Sequence, residues 1–393
     1  MSDAFKQFLN GELEAIETAG LLRTLRRMES PQQVEVNAGG RALINFSSND
    51  YLGFAAHESL KEAAQSGVET LGAGAGSARL ISGSQSIIHE LEASLAAFKQ
   101  TEAALCFSSG YAAALGTVPA LVGQGDVVIV DKLVHASLVD AARLSGAKLR
   151  VFKHNDLADL ERLLQWANEK KGNTLVITES VFSMDGDLAP VRDLVQLKNR
   201  YGAWLMLDEA HATGLYGEGR RGVAEEMGVA DRVEVQLGTL GKALGAAGGY
   251  ICGSQALIGL LVNRARSFIF STAPVPAQSA AAKRGVELVQ SDEGGAMRTR
   301  LWANVDALKN GMIRQGWKLP VVRSAILPLM IGDERNALGL AQRLREAGIW
   351  VPAVRYPTVA RGEARLRVTV SAVHQPEHLD ALLRALGERA VDA

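Results

Sequence analysis

Cysteine, net charge and long hydrophobic runs are all scarce in this chain of 393 residues, and each shortage removes a class of explanation. The two cysteines, Cys106 and Cys252, both sit inside apolar strand-like runs. Two isolated thiols make neither a disulfide scaffold nor a zinc site, and they suit a reducing compartment. The 42 basic and 43 acidic side chains leave a net charge of −1, so no basic excess points to nucleic acid or to an anionic membrane. No apolar run reaches the length of a bilayer span. The opening residues MSDAFKQFLNGELEAIE are acidic and amphipathic, unlike a secretory or transit signal, so a cytoplasmic location is expected. Internal repeats and low-complexity linkers are missing too. What is present is ordinary soluble composition, 47% apolar and 22% charged, in a length that suits one large domain plus a smaller one.

Periodicity divides the chain. Residues 4–28 predict a helix, with Phe5, Phe8, Leu9, Leu13 and Ile16 at helical spacing. Short strands at 34–36 and 43–46 flank Asn37-Ala38-Gly39-Gly40, a good hairpin turn. A loop, SSNDYLGF at 47–54, and a helical stretch at 58–70 lead to GAGAGSARLISG at 72–83. There Gly72, Gly74 and Gly76 are followed by Ser77 where a dinucleotide fingerprint needs its third glycine, and no strand precedes them. The segment therefore reads as a flexible loop beside a bound group.

From 102 to 252 strands alternate with helices. Strands are expected at 103–107, 127–130, 148–152, 175–178, 204–207, 233–237 and 249–251, with helices between most of them, as at 111–121, 156–170 and 190–200. The alternation predicts an α/β fold, a mainly parallel seven-stranded sheet with helices on both faces. After about 285 a long helix at 293–314 precedes strands near 325–331, 349–351 and 365–370 and helices near 335–346 and 376–388. The expected organisation is an N-terminal helix and hairpin (1–50) packing with the C-terminal domain, a large ligand-binding domain (51–288) and a small α+β domain (289–393).

Ligands of such sheets bind beyond the carboxyl ends of the strands. Four polar segments follow strands here. Ser108-Ser109-Gly110-Tyr111 opens a helix, whose free amides and dipole suit a phosphate or serve simply as a cap. His135 follows the strand at 127–130, and TESVFSMDGD (178–187) offers Ser183 beside the turn Asp185-Gly186. In LMLDEAHATG (205–214) Asp208 closes an apolar strand, with His211 three residues on. A carboxylate buried there needs a cation or hydrogen-bond donors. One Asp-Glu-His group without a second ligand set does not make a metal site, and no metal is expected. The letters DEAH also occur in helicases, but a phosphate loop would need glycine at 236 and Ser or Thr at 243, where Gln236 and Ala243 stand.

The remaining segment is LGTLGKALGAAGGY at 237–250, which sets Lys242 among glycines and other small residues directly after an apolar run. Burying an ammonium without a partner is unfavourable. A lysine in such a place is either solvated in a loop or kept neutral and nucleophilic for Schiff-base chemistry. One ligand accounts for all four strand ends and the lysine together. Pyridoxal phosphate needs a lysine for its imine, an aspartate at its ring nitrogen, a phosphate cradle and groups around its phenolic oxygen.

With these motifs in hand, the chain resembles the α-oxoamine synthases, fold-type I pyridoxal 5'-phosphate enzymes. The resemblance runs through FSSNDYLGF, GAGAGSARLISG, SSGYAA, HASL, TESVFSMDGD, DEAHATG, GTLGKALG, FSTAPVP and ARLRVTVSA, in order and over nearly the whole length. It implies a decarboxylative acyltransferase acting as a homodimer with shared active sites. Within the family the motifs look most like members that condense L-alanine with pimeloyl-CoA. Sister enzymes join glycine to acetyl-CoA or succinyl-CoA, or serine to a long acyl-CoA, and a non-catalytic binding protein of the same fold is the reading from another class.

Carried over by position, the resemblance implies that Lys242 bears the cofactor and moves the α-proton. Asp208 would pair with the pyridinium nitrogen, and His135 would stack on the ring. Ser183 and His211 would sit near the phenolic oxygen. Gly110, Tyr111 and Thr239 would hold the phosphate, with Thr272 reaching in from a second subunit. Asn49 and Arg367 would handle the substrate carboxylate, and Arg23 is a further substrate-side arginine. Arg355 and Arg361 are candidates for a distal acyl carboxylate. One departure is visible: Ala114 stands where family members often carry Asn.

Overall fold

The computed structural model of the protein describes residues 2–320 and 323–389; residue 1, residues 321–322 and residues 390–393, which the expected domain spans include, lie outside the described residues. Its strands, in chain order, are β1 (Glu35–Asn37), β2 (Ala42–Asn45), β3 (Ala103–Phe107), β4 (Val127–Asp131), β5 (Lys148–Phe152), β6 (Thr174–Glu179), β7 (Trp204–Asp208), β8 (Val235–Thr239), β9 (Gly249–Gly253), β10 (Ile326–Gly332), β11 (Ile349–Trp350), β12 (Ala353–Val354) and β13 (Ala364–Thr369). Seven of them form one sheet in the order β3-β9-β8-β7-β6-β4-β5. Only β9 runs against its neighbours.

The central strands are covered on both faces, which is why they read as unbroken apolar runs rather than alternating ones. Val127, Val128, Ile129 and Val130 of β4 and Leu205, Met206 and Leu207 of β7 are all buried. Between the parallel strands run helices whose starts are capped by a polar side chain from the loop that follows the strand. Ser109 accepts from the Ala112 amide ahead of Gly110–Leu121, His135 from the Ser137 amide ahead of Ala136–Leu144, and Asp156 from the Asp159 amide ahead of Leu157–Asn168. Each cap satisfies an amide that the helix leaves without an acceptor.

The step from β8 to β9 differs. Antiparallel neighbours need no crossover helix, so the chain turns back through residues 240–248, a tight loop closed by Leu240 N–H to Gly248 O (3.0 Å) and Ala246 N–H to Leu240 O (2.9 Å). Gly245, at φ 69°, must be glycine, since a Cβ there would fall 2.5 Å from Phe54. This loop carries Lys242.

Two small sheets complete the fold. One is β1-β2-β11, in which the antiparallel hairpin β1–β2 pairs in parallel with β11; the other is β10-β13-β12. Chain segments more than 300 residues apart in sequence thus share a sheet. The helix expected at 4–28 ends earlier, at Thr18, because Gly20 adopts φ 68° and lets the chain leave the helix. None of its residues is buried. The strand expected at 233–237 begins at Val235 and runs to Thr239, because Val233 follows a one-turn helix, Ala230–Arg232. The helix Ser86–Lys99, which the residue pattern did not single out, packs beside β3.

Candidate active site

The carboxyl ends of β6, β7 and β8 lie side by side. Glu179 is in register with Asp208, and Asp208 with Leu237, so two carboxylates end neighbouring strands at the same height. Both are buried, and burial pushes both pKa values up, Glu179 to about 8. The Asp208 charge raises Glu179 further and the Glu209 charge raises Asp208, while the Lys242 charge opposes both rises. Burial acts the opposite way on Lys242, holding its amine down to about 8 against the pull of Asp208 and Glu179.

A hydrogen-bonded line leads away from the lysine. Its Nζ lies 2.8 Å from His211 Nε2, and His211 Nδ1 lies 2.5 Å from the Tyr51 hydroxyl. His211 is held well below the usual histidine range, first by burial and then by the charges of Lys242, Arg367 and His135. A neutral His211 that accepts from Lys242 at Nε2 carries its proton on Nδ1 and donates to Tyr51. Tyr51 in turn donates to Asn49 Oδ1 (3.4 Å), which also accepts from Arg367 Nη1 (3.1 Å). Arg367 projects from β13, donates from Nε to the Ser183 carbonyl and bonds Thr369 Oγ1 at 2.9 Å. The network therefore runs from an amine with a lowered pKa to a guanidinium that suits a carboxylate.

The Glu179 carboxylate orients two loops at once. Its Oε1 accepts from the His135 amide (2.5 Å) and its Oε2 from the Ser183 amide (3.2 Å). His135 caps its helix through Nδ1, which accepts from the Ser137 amide at 3.3 Å and meets Ser137 Oγ at 2.8 Å. Its pKa is lowered by burial, while the Asp208 charge pulls it upward. Asp208 Oδ1 accepts from the Ala210 amide at 2.8 Å.

On the other side of Lys242, β9 abuts the helix start at Gly110. A Cβ on Gly110 would approach Thr239 Cβ to 3.9 Å, and one on Gly249 would fall 2.4 Å from Gly110 N. Thr239 Oγ1 donates to Gly248 O at 2.9 Å and accepts from the Gly241 amide at 3.2 Å. Helix-start amides, a threonine and backbone held close by glycine are the parts of an anion cradle. Tyr111 is partly exposed and its hydroxyl donates to Asp140 at 2.5 Å.

Over residues 41–386 the chain matches the family described as aminotransferase class I and II. It belongs to that family. An 8-amino-7-oxononanoate synthase of Geobacter sulfurreducens is 46% identical over 376 residues, 96% of each chain. A serine palmitoyltransferase from S. paucimobilis, solved with a PLP–myriocin aldimine, superposes with a TM-score of 0.92 at 29% identity over 98% of both chains. An 8-amino-7-oxononanoate synthase from Francisella tularensis gives a TM-score of 0.74 at 27% identity, covering 88% of this chain and 96% of that one.

In this class I and II aminotransferase-family chain, Lys242, His211, Asp208, His135, Ser183, Asn49 and Arg367 converge, and Gly110 and Thr239 meet beside the Lys242 loop, while the Tyr111 hydroxyl turns to Asp140. Two other sequence-predicted residues sit elsewhere. Thr272 forms a backbone bridge with Ala78 of the glycine-rich loop. Arg23 is exposed, with Nη2 3.3 Å from Thr358 Oγ1. It lines a cleft of about 740 Å³ together with Arg26, Arg41, Arg345 and Arg355. Arg355 is engaged by the carbonyls of Gly20 and Leu22, and Arg361 stacks on Tyr356 at 4.5 Å. Ala114 is fully buried in its helix.

Two site residues escaped sequence reasoning. Glu179 ends an apolar strand as Asp208 does, so the same signal was present in TES as in LDE. Tyr51 lies in SSNDYLGF beside Asn49, and nothing in the residue pattern separates it from a core tyrosine. Glu209, by contrast, is structural. It forms a fully buried pair with Lys99 (2.6 Å) and accepts from the Ala224 amide (2.9 Å).

Proposed function

We propose that the protein condenses L-alanine with a pimeloyl thioester, using pyridoxal 5'-phosphate, to give 8-amino-7-oxononanoate with release of CoA and CO2. The observation that carries this reading is the convergence of Lys242, Asp208 and Arg367 on one buried space, in a chain with full-length relatives of that name. The donor set fits the cofactor. Two buried carboxylates with raised pKa values call for a cation beside them, which a protonated pyridine nitrogen supplies at Asp208. The Gly110 helix start and Thr239 suit its phosphate, and the face of His135 suits its ring.

When bound, the cofactor provides an aldehyde for the lysine and a cationic ring that draws electron density from the substrate α-carbon. The residues do the rest. Lys242, with its amine held down to about 8, is available as nucleophile and then as the base that takes the alanine α-proton. His211 keeps that amine oriented at 2.8 Å and is itself held neutral. Arg367, braced by the Ser183 carbonyl and Asn49, receives the alanine carboxylate and later releases it as CO2 departs. Thr272 completes the site from a second copy in a homodimer, which accounts for its position outside the Lys242 cluster of its own chain, and Arg23 serves as a further substrate-side arginine.

Backbone superposition favours the serine palmitoyltransferase, whereas sequence identity favours 8-amino-7-oxononanoate synthases such as that of Geobacter sulfurreducens, at 46% against 29%. Identity weighs more here, because related folds share a backbone while side chains select substrates. Free-thiol release across alanine, glycine and serine, each paired with pimeloyl-, acetyl-, succinyl- and palmitoyl-CoA, tests the assignment. Alanine with pimeloyl-CoA is expected to be fastest by at least ~10-fold in kcat/KM, about 1.4 kcal/mol of discrimination. Faster thiol release from serine with palmitoyl-CoA would overturn it.

A further inference from the structure

Beside the site, three strand ends are tied together by a histidine that the proposed chemistry does not use. His154 follows β5. Its Nδ1 lies 2.9 Å from Asp131 Oδ1 at the end of β4, and its Nε2 lies 2.8 Å from Asp187 Oδ2 in the loop after β6. A ring with a carboxylate at each nitrogen must donate from both, so it is an imidazolium. Burial pulls the His154 pKa down, but the bonds to Asp131 and Asp187 outweigh it and leave it raised to about 10. The Asp131 side chain is fully buried, and Asp187 Oδ1 is buried with no partner among the described residues. Both carboxylates therefore depend on His154 and Asn155, whose amide and side chain donate to Asp131 Oδ2 (2.9 Å) and Asp187 Oδ2 (2.9 Å).

What hangs from these carboxylates is the site itself. Asp131 Oδ1 also accepts from the Leu133 amide (2.8 Å), shaping the turn that delivers His135. Asp187 closes the loop 182–187 through Phe182 N–H to its carbonyl (2.9 Å) and Gly186 N–H to Phe182 O (2.9 Å). That loop presents the Ser183 carbonyl to Arg367, and its Asp185 holds Arg365 at 2.6 Å. The His154 ring stands edge-on to Phe182, centroids 4.4 Å apart.

We propose that His154 is a positioning residue, a doubly donating imidazolium that holds the His135 turn and the Ser183 loop in fixed relation and thereby sets Arg367 for the amino-acid carboxylate. The kinetic part of this inference rests on the proposed reaction; the protonation state does not.

The test uses holoenzyme labelled with ¹⁵N-histidine, with His154→Gln to assign its signals among the seven histidines. At pH 8 the His154 nitrogens are expected to be both protonated, and a neutral tautomer there would overturn the inference. In kinetics, His154→Gln is expected to raise the KM for alanine ~10-fold, the scale of a lost charge-assisted hydrogen bond, and to weaken the visible circular dichroism of the cofactor. The KM for the acyl thioester should stay unchanged. Adding Asp187→Asn to that variant should cost little more, because the pair acts as one unit. A lowered melting temperature with unaltered alanine KM and unaltered dichroism would reduce His154 to a structural residue and sink the proposal. Two ring protons in a protein that releases thiol from no substrate pair would support the clamp while counting against the reaction.

Discussion

Gly249→Ala tests the anion cradle without touching any side chain of the site. A Cβ at 249 would lie 2.4 Å from Gly110 N and 2.4 Å from Ser109 O, both backbone atoms that cannot swing aside. Gly249 is held in β9 between Phe107 and Thr239, so the strand cannot retreat without breaking two ladders. The helix start must move instead, by about 1 Å to reach ordinary contact. A shift of that size stretches an amide–phosphate bond from about 2.9 Å to beyond bonding range. Each bond to a charged acceptor contributes ~1.5–3 kcal/mol, so losing one weakens cofactor binding by about 10- to 150-fold. Fluorescence titration of the cofactor-free protein with pyridoxal 5'-phosphate measures this apart from catalysis. Gly259→Ala, a helical position where a Cβ would meet nothing within 4 Å, is the control, and melting curves check that both variants fold. Wild-type affinity in a folded Gly249→Ala protein would mean that the phosphate lies elsewhere.

Lys242→Ala should bind cofactor without the visible absorbance of a lysine-bound aldehyde and should turn over almost no substrate; a purified variant with normal activity would remove the lysine from the mechanism. Because burial holds the Lys242 amine down to about 8, its neutral form appears near pH 8 rather than above 10. The rate of aldehyde capture by cofactor-free protein should therefore rise through about pH 8 and level off, and a rise continuing to pH 10 would contradict the lowered value. Lys99→Met strands the Glu209 carboxylate in a site where both side chains are 1% exposed. The expected loss is ~3–5 kcal/mol of unfolding free energy by urea denaturation, and a loss under 1 kcal/mol would show that Glu209 finds another partner or a proton at little cost.

Strands buried on both faces were legible because β-branched apolar runs as short as VVIVD, and WLMLD between turn residues, are too short for a buried helix, and the caps at Ser109 and Asp156 mark the helix starts. Boundaries failed where a local turn competed with the pattern. Val233 and Val235 alternate like a strand, yet the first belongs to the exit of a one-turn helix. Phe5 to Ile16 fix the helical period correctly, but Gly20 rather than the apolar spacing decides where that helix stops. The pairing of β2 with β11 could not be read at all, since a two-residue strand carries no period and its partner lies about 300 residues away.

The site divides along the same line. Residues whose type is improbable at their position, a lysine among glycines or an aspartate closing an apolar strand, announce themselves because desolvation makes them costly unless used. Glu179 meets that description as fully as Asp208 does, and its role becomes visible only when register sets the two side by side. Alone, a buried glutamate would take up a proton and fall silent. Next to Asp208 and Lys242 its charge is tied to theirs, and its oxygens also hold the amides of His135 and Ser183. A change in charge at the lysine is therefore felt by the carboxylate that positions two loops of the site. Glu179 thus meets the Lys242 charge on one side and holds the Ser183 amide on the other, and the Ser183 carbonyl accepts from Arg367, a set of contacts that exists in no single stretch of the chain.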